Sequence, residues 1–101
     1  MLTRYAKKIL SRKDELNETQ KVVLALTIAM IVNEGFYALM EDLASKDDIN
    51  LAFRLVRFPA GPFEFAEQIG LRNILNFLNL AQVELMSGRY KPALLLARKS
   101  E

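Results

Sequence analysis

The feature that most limits the possible folds is an apolar run from Val22 to Val32, interrupted in polarity only by Thr27. It is well short of the roughly 20 residues a helix needs to cross a bilayer, so no membrane span is expected. Around it, Val22, Val23, Leu26, Ala29, Met30, Val32, Asn33, Phe36, Tyr37, Met40 and Leu43 recur at spacings of mostly three and four. That pattern predicts one helix over about 18–44, on the order of 40 Å long. Its middle is apolar on nearly every side, which suits a central helix covered by several others. Asn17 and Gln20 resemble a capping box at its start, with Thr19 as a rival start. Gly35 inside it costs about 1 kcal/mol against Ala, so it marks a close helix crossing or a slight bend.

The rest of the chain also reads as helix. Ser45 and Asp48 form a second start signature, with Asp47 and Asp48 where a helix N-terminus favours negative charge. The helix they open carries Ile49, Ala52, Phe53 and Val56 on one face and ends before Phe58-Pro59. In Pro59-Ala60-Gly61-Pro62, Gly61 is read as supplying unusual backbone angles and Pro62 as the first turn of a helix. That helix closes at Gly70. Leu71, Ile74, Leu75, Leu78, Ala81, Leu85 and Met86 trace the next, with Gly88 as its expected cap. Arg89-Tyr90-Lys91-Pro92 reads as an irregular turn, and Ala93 to Ala97 as a final helical turn. The expected fold is therefore all-α, a single helical domain with a long central helix packed by shorter ones. Residues 17–101 form this domain, and residues 1–16 form a basic N-terminal helical arm with Leu2, Tyr5, Ala6, Ile9 and Leu10 on one side.

Composition excludes much chemistry. The chain has 101 residues, no His and no Cys, which removes imidazole bases, thiol nucleophiles, disulfides and the usual zinc sites. It is also too short for a dinucleotide-binding domain beside a substrate domain, which together need well over about 200 residues. Arg4, Lys7, Lys8, Arg12 and Lys13 make the arm basic, but a solvated helical tail accounts for it, and neither nucleic acid nor membrane is expected as a partner. No signal peptide is evident, and a cytoplasmic protein is the expectation.

Several blocks in order form a recognisable pattern: Val32-Asn33-Glu34-Gly35; Ser45, Asp47, Asp48 and Ile49; Phe58-Pro59-Ala60-Gly61-Pro62-Phe63-Glu64; Ile69-Gly70-Leu71; and Arg89-Tyr90-Lys91-Pro92 with Leu95. Residues 22–96 thereby resemble the C-terminal helical domain of the 3-hydroxyacyl-CoA dehydrogenases, a fold of the 6-phosphogluconate dehydrogenase type. The closing Arg-Tyr-x-Pro is most similar to the second of two tandem copies in longer bacterial-type enzymes. The chain departs from the family at Asn50, where Asp is usual, and at Val56 and Arg57, where Gly followed by a small polar or aromatic residue is usual. The resemblance implies NAD-dependent oxidation of a 3-hydroxyacyl-CoA by the complete enzyme. It implies that NAD and the catalytic histidine belong to another domain, and that this chain alone binds no cofactor and is inactive. Implied partners are a second copy or the missing nucleotide-binding domain, with acyl-CoA as a possible ligand. A stand-alone, non-catalytic dimerising module with the same fold is the alternative.

Within that frame the substrate-facing candidates are Asn33, Glu34, Arg57 and Arg89; no catalytic, cofactor or metal ligand is expected. Pro59, Gly61, Pro62, Gly70, Tyr90 and Pro92 are the structural motif. Asn33 and Glu34 read either as a substrate-side pair or as an inter-helix bond and a surface charge, since a buried polar group must be satisfied in any case. Arg57 and Arg89 flank the two family-like turns and suit phosphate, or are solvated. Phe58, Phe63, Phe65 and Phe77 either line an acyl slot or fill the core. Glu64 and Glu67 share a helix face, where acids of a first turn are stabilising without catalysis.

Overall fold

The computed structural model describes Tyr5, Ala6 and residues 16–101. Helix α1, Glu18–Met40, begins at the expected box. The Gln20 N–H donates to the Asn17 side chain at 2.8 Å, and the Asn17 N–H donates to the Gln20 side chain at 3.0 Å. The helix stops short of residue 44. Asp42 takes φ 57°, while Asp42 N–H donates to Leu39 O and Leu43 N–H to Ala38 O, both at 3.1 Å. These are the two bonds of a Schellman cap. An Asp in the left-handed position is a weaker sequence signal than Gly, and Leu43 carries the apolar period past the true end.

The same device closes two more helices. Helix α2, Lys46–Leu55, opens at Ser45, whose hydroxyl accepts from Asp48 N–H at 3.2 Å. It closes through Arg57 at φ 76°, with Phe58 N–H reaching back to Phe53 O at 3.1 Å. The Phe53 and Phe58 rings meet edge-on at 5.5 Å, the apolar contact that commonly accompanies this cap. Ile49 is buried and Phe53 half-buried, but Ala52 and Val56, expected on that face, are exposed. Helix α3 is Pro62–Ile69 and α4 is Leu71–Glu84. Helix α4 ends through Met86 at φ 50°, so Gly88, expected as the cap, instead opens a 3₁₀ turn, Gly88–Tyr90. Helix α5, Leu94–Lys99, closes the chain. No strand occurs among the described residues.

Helix α1 packs on α2, α3, α4 and α5. Its Ala25, Ala29, Val32 and Phe36 meet Phe63, Ile74, Phe77, Leu78 and Leu96 in one core. Ala6 is fully buried in the same core, so the chain is docked on the body at that point. The remainder of the expected 1–16 arm lies outside the described residues. Phe36 and Phe63 join α1 to α3 edge-on at 5.1 Å. Gly35 lies at this crossing: a Cβ there would sit 2.5 Å from Pro62 Cβ, so the glycine permits the close approach and Ala would force the helices apart.

One polar side chain lies inside. Asn33 is 1% exposed, the one buried polar or charged residue among those described. Its Nδ2 donates to Lys91 O at 2.9 Å and its Oδ1 accepts from Ala93 N–H at 2.7 Å. Tyr37, one turn later, donates its hydroxyl to the same Lys91 carbonyl at 3.2 Å. The side chain of α1 thus ties down the segment around Pro92 that leads into α5. Replacing Asn33 by Ala orphans the buried Ala93 N–H and removes a donor from Lys91 O, each worth roughly 1–3 kcal/mol when unsatisfied. Urea unfolding of Asn33→Ala is expected to show a loss of about 2–3 kcal/mol; an unchanged midpoint would contradict the clamp.

Candidate functional site

The solvent side of α1 is a ridge between two grooves. On one flank Leu24, Thr27, Ile28 and Ile31 face Phe58, Pro59, Ala60, Phe65 and Gln68 across a cavity of about 610 Å³. On the other, Val23, Leu26, Thr27 and Met30 face Arg89 and Tyr90 across about 270 Å³. Thr27 lies on the crest and belongs to both. The covering helices leave part of α1 open: Val23 is 58% exposed. An 18-residue window of α1 has a mean hydropathy of 1.9, so by length and composition the helix could cross a bilayer, contrary to the expectation from the shorter run Val22 to Val32; 33% of that window is buried and most of the rest is half-buried. A third cavity, about 630 Å³, lies at the other end of α1, where Tyr37 and Met40 face Asn79, Gln82, Lys91 and Leu94.

The first groove is shaped by how the Pro59–Pro62 loop is fixed. Asn50 Oδ1 accepts from Phe63 N–H at 3.0 Å and so caps α3 from α2. Gly61 N–H donates to Glu64 Oε1 at 2.8 Å, and the Arg54 guanidinium forms an ion pair with the same carboxylate. Gly61 has φ −89°, an ordinary angle for any residue, so unusual backbone angles are not its purpose. A Cβ there would collide with Asn50; the glycine is needed for close approach. Pro62 occupies the first turn as expected, and Gly70, at φ 96°, both closes α3 and opens α4.

The four substrate-facing candidates are not gathered at one place. Asn33 is enclosed, with both ends of its amide bonded to backbone. Glu34 is exposed on the ridge line of α1. Arg89 lines the smaller groove, while Arg57 precedes the Phe58 wall of the larger one on the opposite flank. Of the four phenylalanines, Phe63 and Phe77 fill the core, and Phe58 and Phe65 line the larger groove. Glu64 is committed to Arg54 and Gly61, and Glu67 borders a small pocket with Lys46. No group of three or more metal-binding side chains occurs among the described residues. The described surface offers apolar shape and charge. Sequence reasoning missed the Asn50 cap, which spans thirteen residues and has no local signature.

Because Arg57 holds a left-handed conformation that costs a side chain roughly 1 kcal/mol, Arg57→Gly is expected to raise the urea-unfolding free energy by about 0.5–1 kcal/mol. A loss of stability would show that the arginine makes a compensating contact.

Comparison with known proteins agrees with this architecture. Residues 23–101 match the family described as 3-hydroxyacyl-CoA dehydrogenase, C-terminal domain. A 3-hydroxyadipyl-CoA dehydrogenase from Escherichia coli (strain K12) is 40% identical over 75 residues, which are 73% of this chain and 16% of that protein. The crystal structure of a 3-hydroxybutyryl-CoA dehydrogenase from Escherichia coli K12 substr. MG1655 superposes with a TM-score of 0.71 at 40% identity, again over 73% of this chain and 16% of the other. The chain belongs to the 3-hydroxyacyl-CoA dehydrogenase C-terminal domain family. It spans about one sixth of these relatives, and its 101 residues carry the helical domain without the NAD-binding domain.

Proposed function

We propose that this family member serves as the substrate-side and dimerisation domain of a 3-hydroxyacyl-CoA dehydrogenase-like protein. The complete enzyme would oxidise a 3-hydroxyacyl-CoA to the 3-oxoacyl-CoA with NAD as hydride acceptor. The residues of this chain do not fit NAD: there is no glycine-rich phosphate loop and no histidine. Its part is to form one wall of the acyl-CoA cleft and the contact with a second copy or with the nucleotide-binding domain.

The observation that carries this reading is the open apolar side of α1. Twelve consecutive residues, 22–33, have no charge; among them Val23 and Thr27 are exposed and most of the others are half-buried. A second copy or a neighbouring domain seated there would cover these half-buried side chains. The larger groove beside it, walled by Phe58 and Phe65 with Arg57 next in sequence, has the apolar-plus-cationic character an acyl chain and a phosphate require.

Two measurements test this. The purified chain, mixed with a 3-hydroxyacyl-CoA and NAD, should produce no NADH absorbance; turnover by the chain alone would overturn the division of labour. Sedimentation at tens of micromolar should give the mass of a dimer, and a monomer throughout would remove the dimerisation role.

A further inference from the structure

Tyr37 and Met40 continue the line of Asn33 along α1 at intervals of four and three, and all three side chains reach the segment from Lys91 into α5. The last hold is made by a sulfur: Leu95 N–H donates to Met40 Sδ at 3.5 Å. Leu95 stands in the first turn of α5, where an N–H meets no carbonyl of its own helix, and the thioether serves as its acceptor. Met40 is nevertheless 43% exposed. It borders the cavity of about 630 Å³ together with Tyr37, Asn79, Gln82 and Lys91. The chain has no cysteine, so its thioethers are the groups a hydroperoxide oxidises. Among the described methionines, Met30 is half-buried and Met86 is 90% exposed; Met40 alone combines access with a hydrogen bond to its sulfur.

We propose that Met40 is a site of reversible oxidation by a hydroperoxide, entered from the cavity side alone. In the step a sulfur lone pair attacks the terminal peroxide oxygen, an S–O bond forms and the O–O bond breaks. The proton of the attacked oxygen passes to the departing one, which leaves as an alcohol or, from hydrogen peroxide, as water. The thioether is oxidised by two electrons and the peroxide is reduced by two. A thioether sulfur has two lone pairs. One meets the Leu95 N–H and lies shielded against the backbone of α5; the other is left for the oxidant. Oxidation makes the sulfur a stereocentre, so entry from one side yields a single sulfoxide epimer. The new oxygen projects into the cavity, where the Asn79 and Gln82 amides and the Lys91 ammonium are donors. The sulfur, drained of electron density, ceases to hold the Leu95 N–H. Asn33 and Tyr37 retain their bonds to Lys91 and Ala93, so the change acts at the start of α5.

The test treats the native chain with dilute hydrogen peroxide, then quenches and digests it for peptide mass mapping. The Met40 and Met86 peptides should each gain one oxygen atom. A methionine sulfoxide reductase specific for one epimer, applied to the digest, should restore either all of the Met40 peptide or none of it. The same enzyme should restore about half of the Met86 peptide, whose side chain is in open solvent. Met40 left unoxidised while Met86 is converted would overturn the site, and a Met40 peptide restored by half would overturn the one-sided entry. In hydrogen exchange, the Leu95 amide of the oxidised chain should run roughly threefold to tenfold faster than that of the untreated chain, with helical circular dichroism retained. Met40→Leu, with no sulfur at that place, should show the faster Leu95 exchange before peroxide and no further change after it. Leu95 exchange unaltered by oxidation of the native chain, or a Met40→Leu chain that responds to peroxide as strongly, would overturn the release of Leu95.

Discussion

The placement of the segment from Lys91 into α5 depends on the Asn33 carboxamide. Proline 92 has no N–H, and the residues on either side of it must bury a carbonyl and an amide beside the core. The Asn33 side chain bonds both, accepting from Ala93 and donating to Lys91, as a neighbouring strand would. Helix α1 supplies it from the face that the buried Val32 and Phe36 turn to the core. One polar group in the least polar helix thereby fixes where α5 begins and how the cavity around Tyr37, Lys91 and Leu94 is shaped.

The fold was largely legible because its helix starts use chemically explicit caps. Asn17, Ser45 and Pro62 each act where their side chains or ring predict. The ends were harder, since Asp42, Arg57 and Met86 hold left-handed positions without glycine. Such an end is decided by bonds to carbonyls five residues back and by contacts such as Phe53 on Phe58, which no short motif announces. Gly61 shows the converse case: the residue was legible as essential, but its reason is the approach of Asn50. Apolar periodicity marked α1 as the central helix, which four others do pack against.

The candidate site was less legible than the fold. Its residues come from α1, the loop before α3 and the 3₁₀ turn, and their relation depends on which flank of one helix each reaches. Arg89 lines the smaller groove, while Arg57 is set by the left-handed end of α2. Asn33 and Glu34 are adjacent in sequence but point to opposite regimes, one closed among backbone groups and one in solvent. The helix that organises the core is thus also the helix whose other side is available for contact, which suits a domain that contributes shape and assembly while a histidine-bearing domain contributes chemistry.

The account turns on α1 holding the Pro92 segment through Asn33, and hydrogen exchange at Ala93 tests this most directly. That amide lies outside the helical hydrogen-bond ladder, so only the buried side-chain bond protects it. It should exchange as slowly as the central amides of α1 and α4, opening only with global unfolding. Exchange as fast as the surrounding turn at Gly88–Tyr90 would contradict the account.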